Sequence, residues 1–196
     1  LLKNEVSMLS GFAFESKKYS KTNEGIALLR GDNISPKEID LSEAKYYPSS
    51  EYNNFKKYHL KHGDILIAMD RPIIKSGLKV AILDQKNLPA LLVQRVMCLR
   101  PKTKILKEFI FLIVQSKKFL KQITNNQTGL SVPHISANTI GNFKFNLPNI
   151  EKQKNISNKI EKIETEIQNL KKLLIEKNEK LTNLKKLLSK KIFNLI

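Results

Sequence analysis

The sequence from Glu151 to Ile196 reads EKQKNISNKIEKIETEIQNLKKLLIEKNEKLTNLKKLLSKKIFNLI and contains neither Pro nor Gly. Its apolar residues recur at alternating steps of four and three, with two lysines at the positions that break the pattern: Ile156, Ile160, Ile163, Ile167, Leu170, Leu174, Lys177, Leu181, Leu184, Leu188, Lys191 and Leu195. An average step of 3.5 residues is typical of a coiled coil, because it keeps one narrow stripe facing a partner helix. We therefore predict a long helix that associates through this stripe.

The length of this helix argues for a partner. At 1.5 Å per residue it would extend roughly 69 Å, whereas helices that lie on a globular domain average about 11–12 residues. A small domain cannot cover such a stripe, so a second helix of similar length is needed. A surface helix that lies along its own domain is the alternative.

Charge and composition describe the rest of the chain. Of 196 residues, 41% are hydrophobic, which is enough for one core before the helix, and no apolar run approaches the 18 or so residues of a membrane span. The single cysteine, Cys98, lies in an apolar run, excludes an internal disulfide and fits a reducing compartment. The net charge is +17; residues 1–150 carry 23 Lys and Arg against 12 acidic residues. Such an excess favours a polyanionic partner, most commonly nucleic acid.

Short strands and one helical region precede the long helix. The sequence predicts strands at Gly25–Leu29, Ile65–Met69, Leu78–Leu83 and Leu91–Leu99, and helical spacing over Ile105–Ile123. Phe143 and Phe145 alternate as they would on a further strand. Strands at irregular intervals with a few helices predict an α+β domain rather than a repeated βαβ unit.

Motifs of enzyme chemistry are missing from the sequence. It contains no glycine-rich phosphate loop, and its three histidines and one cysteine have no metal-ligand spacing. A nuclease-like pattern can be drawn from Asp32 and Glu43-Ala44-Lys45, but it lies in a polar stretch without flanking strands. Asp64 and Asp70 bracket a strand and are better interpreted as turn caps. We expect no catalytic residue and no metal site in this chain.

Several loops carry side chains suited to DNA. Arginine binds guanine edges, Asn and Gln bind adenine edges, and Lys or Thr binds phosphates. The candidates, which fall at strand ends and in loops, are Arg30, Asn33, Arg71, Lys75, Lys79, Gln94, Arg95, Asn125, Asn126, Gln127 and Thr128. Gln94 and Arg95 interrupt the apolar run from Leu91 to Leu99, where a charge should face something specific. Each candidate can instead be a solvated polar residue, and Arg95 can pair with Asp64 or Asp70.

Two stretches carry a family resemblance. They are Gly129-Leu130-Ser131-Val132-Pro133-His134-Ile135-Ser136 and, before the long helix, Phe145-Asn146-Leu147-Pro148-Asn149-Ile150-Glu151-Lys152-Gln153. Together they resemble the end of one half of a type I restriction-modification specificity subunit, where a Leu/Ile-Pro-x-x-x-x-Gln junction enters a conserved helix. Gly11-Phe12-Ala13-Phe14 and Gly63-Asp64-Ile65-Leu66-Ile67 are similar to the opening loop and central strand of its recognition domain.

This resemblance implies a non-catalytic reader of double-stranded DNA. Residues 1–148 would form the target-recognition domain, and residues 149–196 the helix for dimerisation and methyltransferase binding. The implied partners are methyltransferase subunits, which hold S-adenosylmethionine, and restriction subunits, which use ATP and Mg²⁺; no cofactor is expected in this chain, and the location is cytoplasmic. The alternatives are a coiled-coil adaptor with incidental charge and the recognition end of a fused restriction-methylation enzyme.

A full specificity subunit has two recognition domains and two such helices, whereas this sequence has one of each. It therefore resembles a half-subunit, natural or cut from a longer chain, and homodimerisation would supply the missing helix. An antiparallel pair in which facing residue numbers sum to 351 matches Ile163 with Leu188 and Leu174 with Lys177. A parallel pair would stack Lys177 on Lys177. We predict an antiparallel homodimer through Ile156, Ile160, Ile163, Ile167, Leu170, Leu174, Lys177, Leu181, Leu184, Leu188 and Leu195.

Overall fold

A computed structural model describes residues 1–20, 22, 24–129 and 133–193, with side chains to residue 189. The predicted α+β class with a long C-terminal helix is confirmed. The chain forms two compact units, Leu1–Lys154 and Asn155–Ile196, so the first turn of the long helix groups with the globular unit. The functional boundary predicted at residue 148 stays a prediction. Leu130, Ser131, Val132 and Leu195, used in the sequence arguments, lie outside the described residues.

The globular unit is built on two small sheets. The described strands are β1 (Val6–Ser10), β2 (Ile26–Leu29), β3 (Ile34–Ser35), β4 (Glu38–Ile39), β5 (Lys45–Tyr47), β6 (Ile65–Ala68), β7 (Ile73–Ile74), β8 (Gly77–Leu78), β9 (Val80–Ile82), β10 (Ala90–Leu92) and β11 (Val96–Pro101). Four of them form an antiparallel sheet in the order β1-β11-β6-β9. A second sheet has the order β10-β2-β5, in which β10 runs parallel to β2. The pairs β3–β4 and β7–β8 are short hairpins.

The helices are α1 (Leu2–Glu5), α2 (Lys107–Val114), α3 (Lys117–Asn125), α4 (Ala137–Gly141) and α5 (Ile150–Phe193), with 3₁₀ segments at Ser16–Lys18, Gly31–Asn33, Ser49–Tyr58 and Gln85–Asn87. The helical region predicted over Ile105–Ile123 is two helices rather than one. It is divided at Ser116, whose hydroxyl accepts a hydrogen bond from the Phe119 N–H and caps α3. No described helix is long and apolar enough to span a membrane.

The core fills the space between the two sheets. Side chains alternate along a strand, so Leu66 and Ala68 of β6 pack with Leu29 of β2 and Leu92 of β10 in one cluster. Ile65 and Ile67 point to the opposite face of the sheet, and all four residues of β6 are buried. A strand buried on both faces appears in the sequence as a continuous apolar run, which is why the length and residue types of this run could identify β6 as a buried strand.

An aromatic layer covers the other face of the three-stranded sheet. Phe14, Tyr47 and Phe55 are in mutual ring contact, with centroids 4.8–5.7 Å apart and mostly edge-to-face. The loop that carries Phe14 begins at Gly11, where an added Cβ would collide with the Val93 backbone. Glycine is therefore required for the loop to lie against the end of β10.

Two predicted elements differ from the structure. The run Leu91–Leu99 is not one strand but two, because the chain leaves the three-stranded sheet after Leu92 and enters the four-stranded sheet at Val96. Phe143 and Phe145 do not lie on a described strand. Phe143 is nevertheless buried, and its carbonyl accepts a hydrogen bond from the Leu2 N–H.

Gln153 joins the start of α5 to the globular unit. Its side chain is fully buried; the amide oxygen accepts a hydrogen bond from the Leu106 N–H, and the amide nitrogen donates to the Lys104 and Pro148 carbonyls. Two of these backbone groups come from the end of the loop before α2, and the third belongs to Pro148, two residues before α5. The glutamine of the Leu-Pro-x-x-x-x-Gln junction therefore satisfies backbone groups that the fold would otherwise leave unpaired.

Candidate nucleic-acid interface

One cleft of about 480 Å³ lies at a shared end of the two sheets. Its charged lining is Arg30, Asp32, Asp70, Arg71, Lys79 and Arg95, accompanied by Gln94. Five of the predicted DNA-binding residues thus meet in one place, although they are spread over 66 positions of the sequence. The four cations exceed the two carboxylates, so the cleft is electropositive.

The topology explains this convergence. Arg30 follows β2 and Gln94 follows β10; these strands are parallel, so their carboxyl ends lie together. Arg71 follows β6, which is antiparallel to both β9 and β11, so its end meets the starts of these two strands. Lys79 immediately precedes β9 and Arg95 immediately precedes β11. Strand pairing therefore brings these five predicted residues to the same edge.

Arg71 and Arg95 both have left-handed backbone conformations, with φ of 43° and 65°. Few residues other than Gly adopt this region, and when they do the strain commonly marks a functional site. Hydrogen bonds fix both turns: the Arg71 N–H donates to the Pro133 carbonyl at 2.7 Å, and the Arg95 carbonyl accepts from the Met69 N–H at 2.8 Å. The sequence gives no sign of this, because neither position is Gly or Asn.

The arginines differ in their partners. Arg30 Nη2 lies 3.0 Å from Asp32 Oδ2, and Arg95 Nε lies 3.8 Å from Asp70 Oδ2. The Arg95 side chain is 58% exposed in this loose pair, so an exposed ion pair of this kind leaves the guanidinium accessible. The exposed Arg71 guanidinium makes no hydrogen bond or ion pair with any part of the chain that the structure describes.

Lys79 is the buried cation of the cleft. The residue is 9% exposed, and burial lowers the pKa of its ammonium, with Arg71 acting in the same direction and Asp32 and Asp70 opposing it. Phe14 and Tyr19 add aromatic surface to the lining. Tyr19 donates its hydroxyl to the Phe14 carbonyl, and burial raises its pKa. These two aromatic residues were absent from the predicted site, although Phe14 is the last residue of the opening loop noted in the sequence and Tyr19 lies five residues after it.

Asn33 is held inside its own turn. It is 5% exposed, its Oδ1 accepts from the Arg30 N–H at 3.0 Å, and its Nδ2 donates to the Asp40 carbonyl. A buried amide held in this way shapes the turn that presents Arg30, and a contact between Asn33 and DNA stays a prediction.

The other predicted residues lie outside the cleft. Lys75 is exposed in the β7–β8 hairpin. Asn125 is the last residue of α3, and the next three residues of the chain are Asn126, Gln127 and Thr128. The Asn126 side chain donates a hydrogen bond to the Gln122 carbonyl. Thr128 pairs with His134 through two backbone hydrogen bonds, and His134 in turn bridges to Asp70. Residues 125–128 are therefore attached to the cleft edge through His134 but do not line the cleft.

The two acidic residues questioned in the sequence have separate roles. Asp70 faces Arg95, as described above. Asp64 is buried, caps a turn by accepting from the Lys61 N–H and forms a two-point ion pair with Arg100. The described residues include no cluster of three or more His, Cys, Asp or Glu side chains that could hold a metal ion.

The seam of α5 is exposed in the single chain. From Ile163 to Leu188 its apolar residues are 44–60% exposed. Leu173 and Leu187, each one residue before a seam position, are 53% and 62% exposed and widen the stripe on one side. The sequence interpretation, restricted to steps of three and four, missed these two leucines.

Comparison with known proteins identifies relatives for almost the whole chain. The family described as type I restriction modification DNA specificity domain matches residues 14–177. The MjaVIII specificity subunit of Methanocaldococcus jannaschii is 35% identical over 183 residues, which is 91% of this chain and 42% of that protein. The EcoAI specificity subunit of Escherichia coli is 34% identical over 161 residues, 81% of this chain and 27% of that protein. The chain thus spans less than half the length of these curated relatives.

Solved structures show the same fold. A chain from a structure of an assembled type I R-M system has a TM-score of 0.68 at 16% identity over 93% of this chain and 42% of its own length. The HsdS subunit of Thermoanaerobacter tengcongensis has a TM-score of 0.62 at 17% identity over 87% of this chain and 38% of its own length. The family match and the curated relatives agree with the fold. The chain belongs to the type I restriction-modification DNA specificity domain family.

Proposed function

We propose that this chain recognises a specific sequence in double-stranded DNA as the non-catalytic specificity component of a type I restriction-modification system. The observation that carries the proposal is the cleft, in which four cationic side chains lie together at one edge of the two sheets. Two of them, Arg71 and Arg95, have a left-handed backbone conformation. The family supports this role, since both curated relatives are named specificity subunits. An adaptor whose charge is incidental would have no need for such a convergence.

Base reading is assigned first to Arg71. Its guanidinium is exposed and unpaired among the described residues, so it can make the two-point contact with guanine O6 and N7 that arginine favours in the major groove. The strained backbone fixes the direction in which the side chain leaves the cleft edge. Arg95, Arg30 and Gln94 are the further readers, and Lys75 and the loop Asn125–Thr128 contact phosphates or flanking bases.

The partners follow from the family. Methyltransferase subunits would supply S-adenosylmethionine, restriction subunits would supply ATP and Mg²⁺ chemistry, and this chain would direct both to the target. Two copies of this chain would pair antiparallel through the seam of α5, whose apolar side chains are exposed in the single chain. Two recognition units related by a two-fold axis require a palindromic target whose middle is not read.

The experiment is selection of binding sites from a random pool of duplexes by the purified chain. We expect an enriched palindrome with two specific half-sites and a neutral spacer. Binding to it should weaken steeply as salt rises, since the Lys and Arg contacts release counterions from DNA phosphates. If no sequence is enriched and every duplex binds equally well, the proposal is contradicted and the coiled-coil adaptor becomes the better interpretation.

Replacing Arg71 with Ala should relax the base choice at one position in each half-site and cost on the order of 1–3 kcal/mol of binding free energy per half-site. Lys75→Ala is the matched control, because Lys75 is an exposed cation outside the cleft. It should weaken binding to all duplexes alike and leave the selected sequence unchanged. Repeating the selection with each variant measures both effects. An unchanged selected sequence for Arg71→Ala would remove Arg71 from the readers.

A further inference from the structure

Lys79 has an unusual environment for a lysine. Lysine is rarely buried without a partner, because its charge loses hydration. Lys79 is 9% exposed, yet its ammonium makes no hydrogen bond or ion pair with the described residues. The nitrogen is not among the fully enclosed unpartnered atoms, and Lys79 lines the cleft. Its buried stem therefore presents a free ammonium at the inner surface of the cleft.

The neighbouring carboxylates are committed elsewhere. Asp32 pairs with Arg30 at 3.0 Å and Asp70 with Arg95 at 3.8 Å. Both are still close enough to Lys79 for their charges to raise its pKa, while Arg71 and burial lower it. The ammonium thus lies among two carboxylates and an arginine without an acceptor of its own among the described residues. A ligand that brings acceptors to this point would satisfy it.

A phosphate is a poor ligand here. The cleft as a whole is electropositive, but a phosphate at the Lys79 ammonium would come close to Asp32 and Asp70, whose repulsion would offset part of the attraction of the cations. The edge of a base pair is neutral and avoids that repulsion. In the major groove guanine offers two adjacent hydrogen-bond acceptors, O6 and N7. The paired cytosine offers its N4 amino group, from which a carboxylate accepts a hydrogen bond. An A·T pair separates its acceptors by a donor, so it suits a single ammonium less well.

We propose that Lys79 is a specificity-determining residue that reads the guanine of a G·C pair, with Asp32 or Asp70 accepting from the N4 amino group of the paired cytosine. This assignment rests on the proposed function, since it requires that duplex DNA enters the cleft. The proposed contact of Lys79 with a base distinguishes it from the exposed lysines, to which we assign contacts with phosphates.

The test compares Lys79→Met with Lys75→Met in selection from random duplexes. Methionine keeps an unbranched stem and removes a charge that has no partner among the described residues, so Lys79→Met should melt no lower than the unaltered chain. The unaltered chain should enrich a G·C pair in each half-site that becomes degenerate with Lys79→Met and stays fixed with Lys75→Met. Uniform weakening without a change of base choice would mark a phosphate contact and overturn the assignment, as would an unchanged selection.

A chemical substitution in the DNA gives a second measurement. Placing 7-deazaguanine at the guanine of the G·C pair assigned to Lys79 removes the N7 acceptor of that base. Affinity of the unaltered chain should fall on the order of 5- to 10-fold, and that of Lys79→Met should not change. Equal losses for both proteins would overturn the role of Lys79. If the unaltered chain selects no sequence at all, the proposed function fails instead.

Discussion

The change Asp64→Ala is expected to destabilise the globular unit by about 3–5 kcal/mol, because it removes a buried carboxylate and leaves the partly buried Arg100 without its counter-ion. Arg100 donates from Nε and Nη2 to the two carboxylate oxygens of Asp64, both at 2.7 Å. Asp64 is 4% exposed and Arg100 is 29% exposed at the side chain, so water cannot readily replace the lost contacts. The hydrogen bond to Asp64 raises the pKa of Arg100, so the arginine stays charged at any ordinary pH.

The position of this pair explains the size of the effect. Asp64 accepts from the Lys61 N–H in the turn before β6, and Arg100 extends from β11, the neighbouring strand, and also donates to the His59 carbonyl. The pair therefore fixes the entry of the chain into the central strand of the four-stranded sheet. Losing it leaves an unpaired cation at this edge of the core.

Thermal unfolding at a fixed protein concentration measures the loss. For a domain of this size we expect the midpoint to fall on the order of 10 °C. The double change Asp64→Leu with Arg100→Met is the control, since replacing a buried pair by apolar side chains of similar size is often close to neutral. If Asp64→Ala melts within about 2 °C of the unaltered chain, the pair does not support the fold.

Local patterns predicted the elements that neighbours in the sequence determine. The step of 3.5 residues identified α5, and a run of five apolar residues, Ile65–Met69, identified β6, because each pattern reflects the environment of a single element. Gln94 and Arg95 show where prediction from a local sequence pattern fails. They interrupt what looks like one strand, and only the pairing of β10 with β2 and of β11 with β6 reveals that the chain changes sheets there.

The site could be predicted by residue type but not by geometry. Arginine at strand ends was enough to propose Arg30, Arg71 and Arg95, yet their meeting in one cleft depends on strand order, which no local pattern encodes. Asn33 has the same chemistry as a reader of adenine, and only its burial reveals a structural role. The left-handed backbone of Arg71 likewise results from tertiary hydrogen bonds, such as that with Pro133.

The last prediction concerns Leu170, which is 59% exposed in the single chain and lies in the middle of the seam. In the proposed antiparallel register it faces Leu181 of the second copy, and the two-fold axis repeats this contact. Leu170→Asp therefore removes two buried leucines per dimer and buries two carboxylates. At roughly 2–5 kcal/mol for each lost leucine, the dimer should dissociate at least 1,000-fold more readily, on the order of 4 kcal/mol or more.

The matched control for Leu170→Asp is Ile175→Asp. Ile175 is 61% exposed but lies off the seam, on the outer side of α5. Sedimentation equilibrium should find dimers for the unaltered chain and for Ile175→Asp, and monomers for Leu170→Asp. Cysteines at both Ile163 and Leu188 should link two copies when oxidised, whereas a cysteine at Leu188 alone should not, because an antiparallel pair keeps the two Leu188 positions far apart. Efficient linkage through Leu188→Cys alone would mean a parallel pair, in which Lys177 faces Lys177, and would refute the antiparallel register and the palindromic target that depends on it.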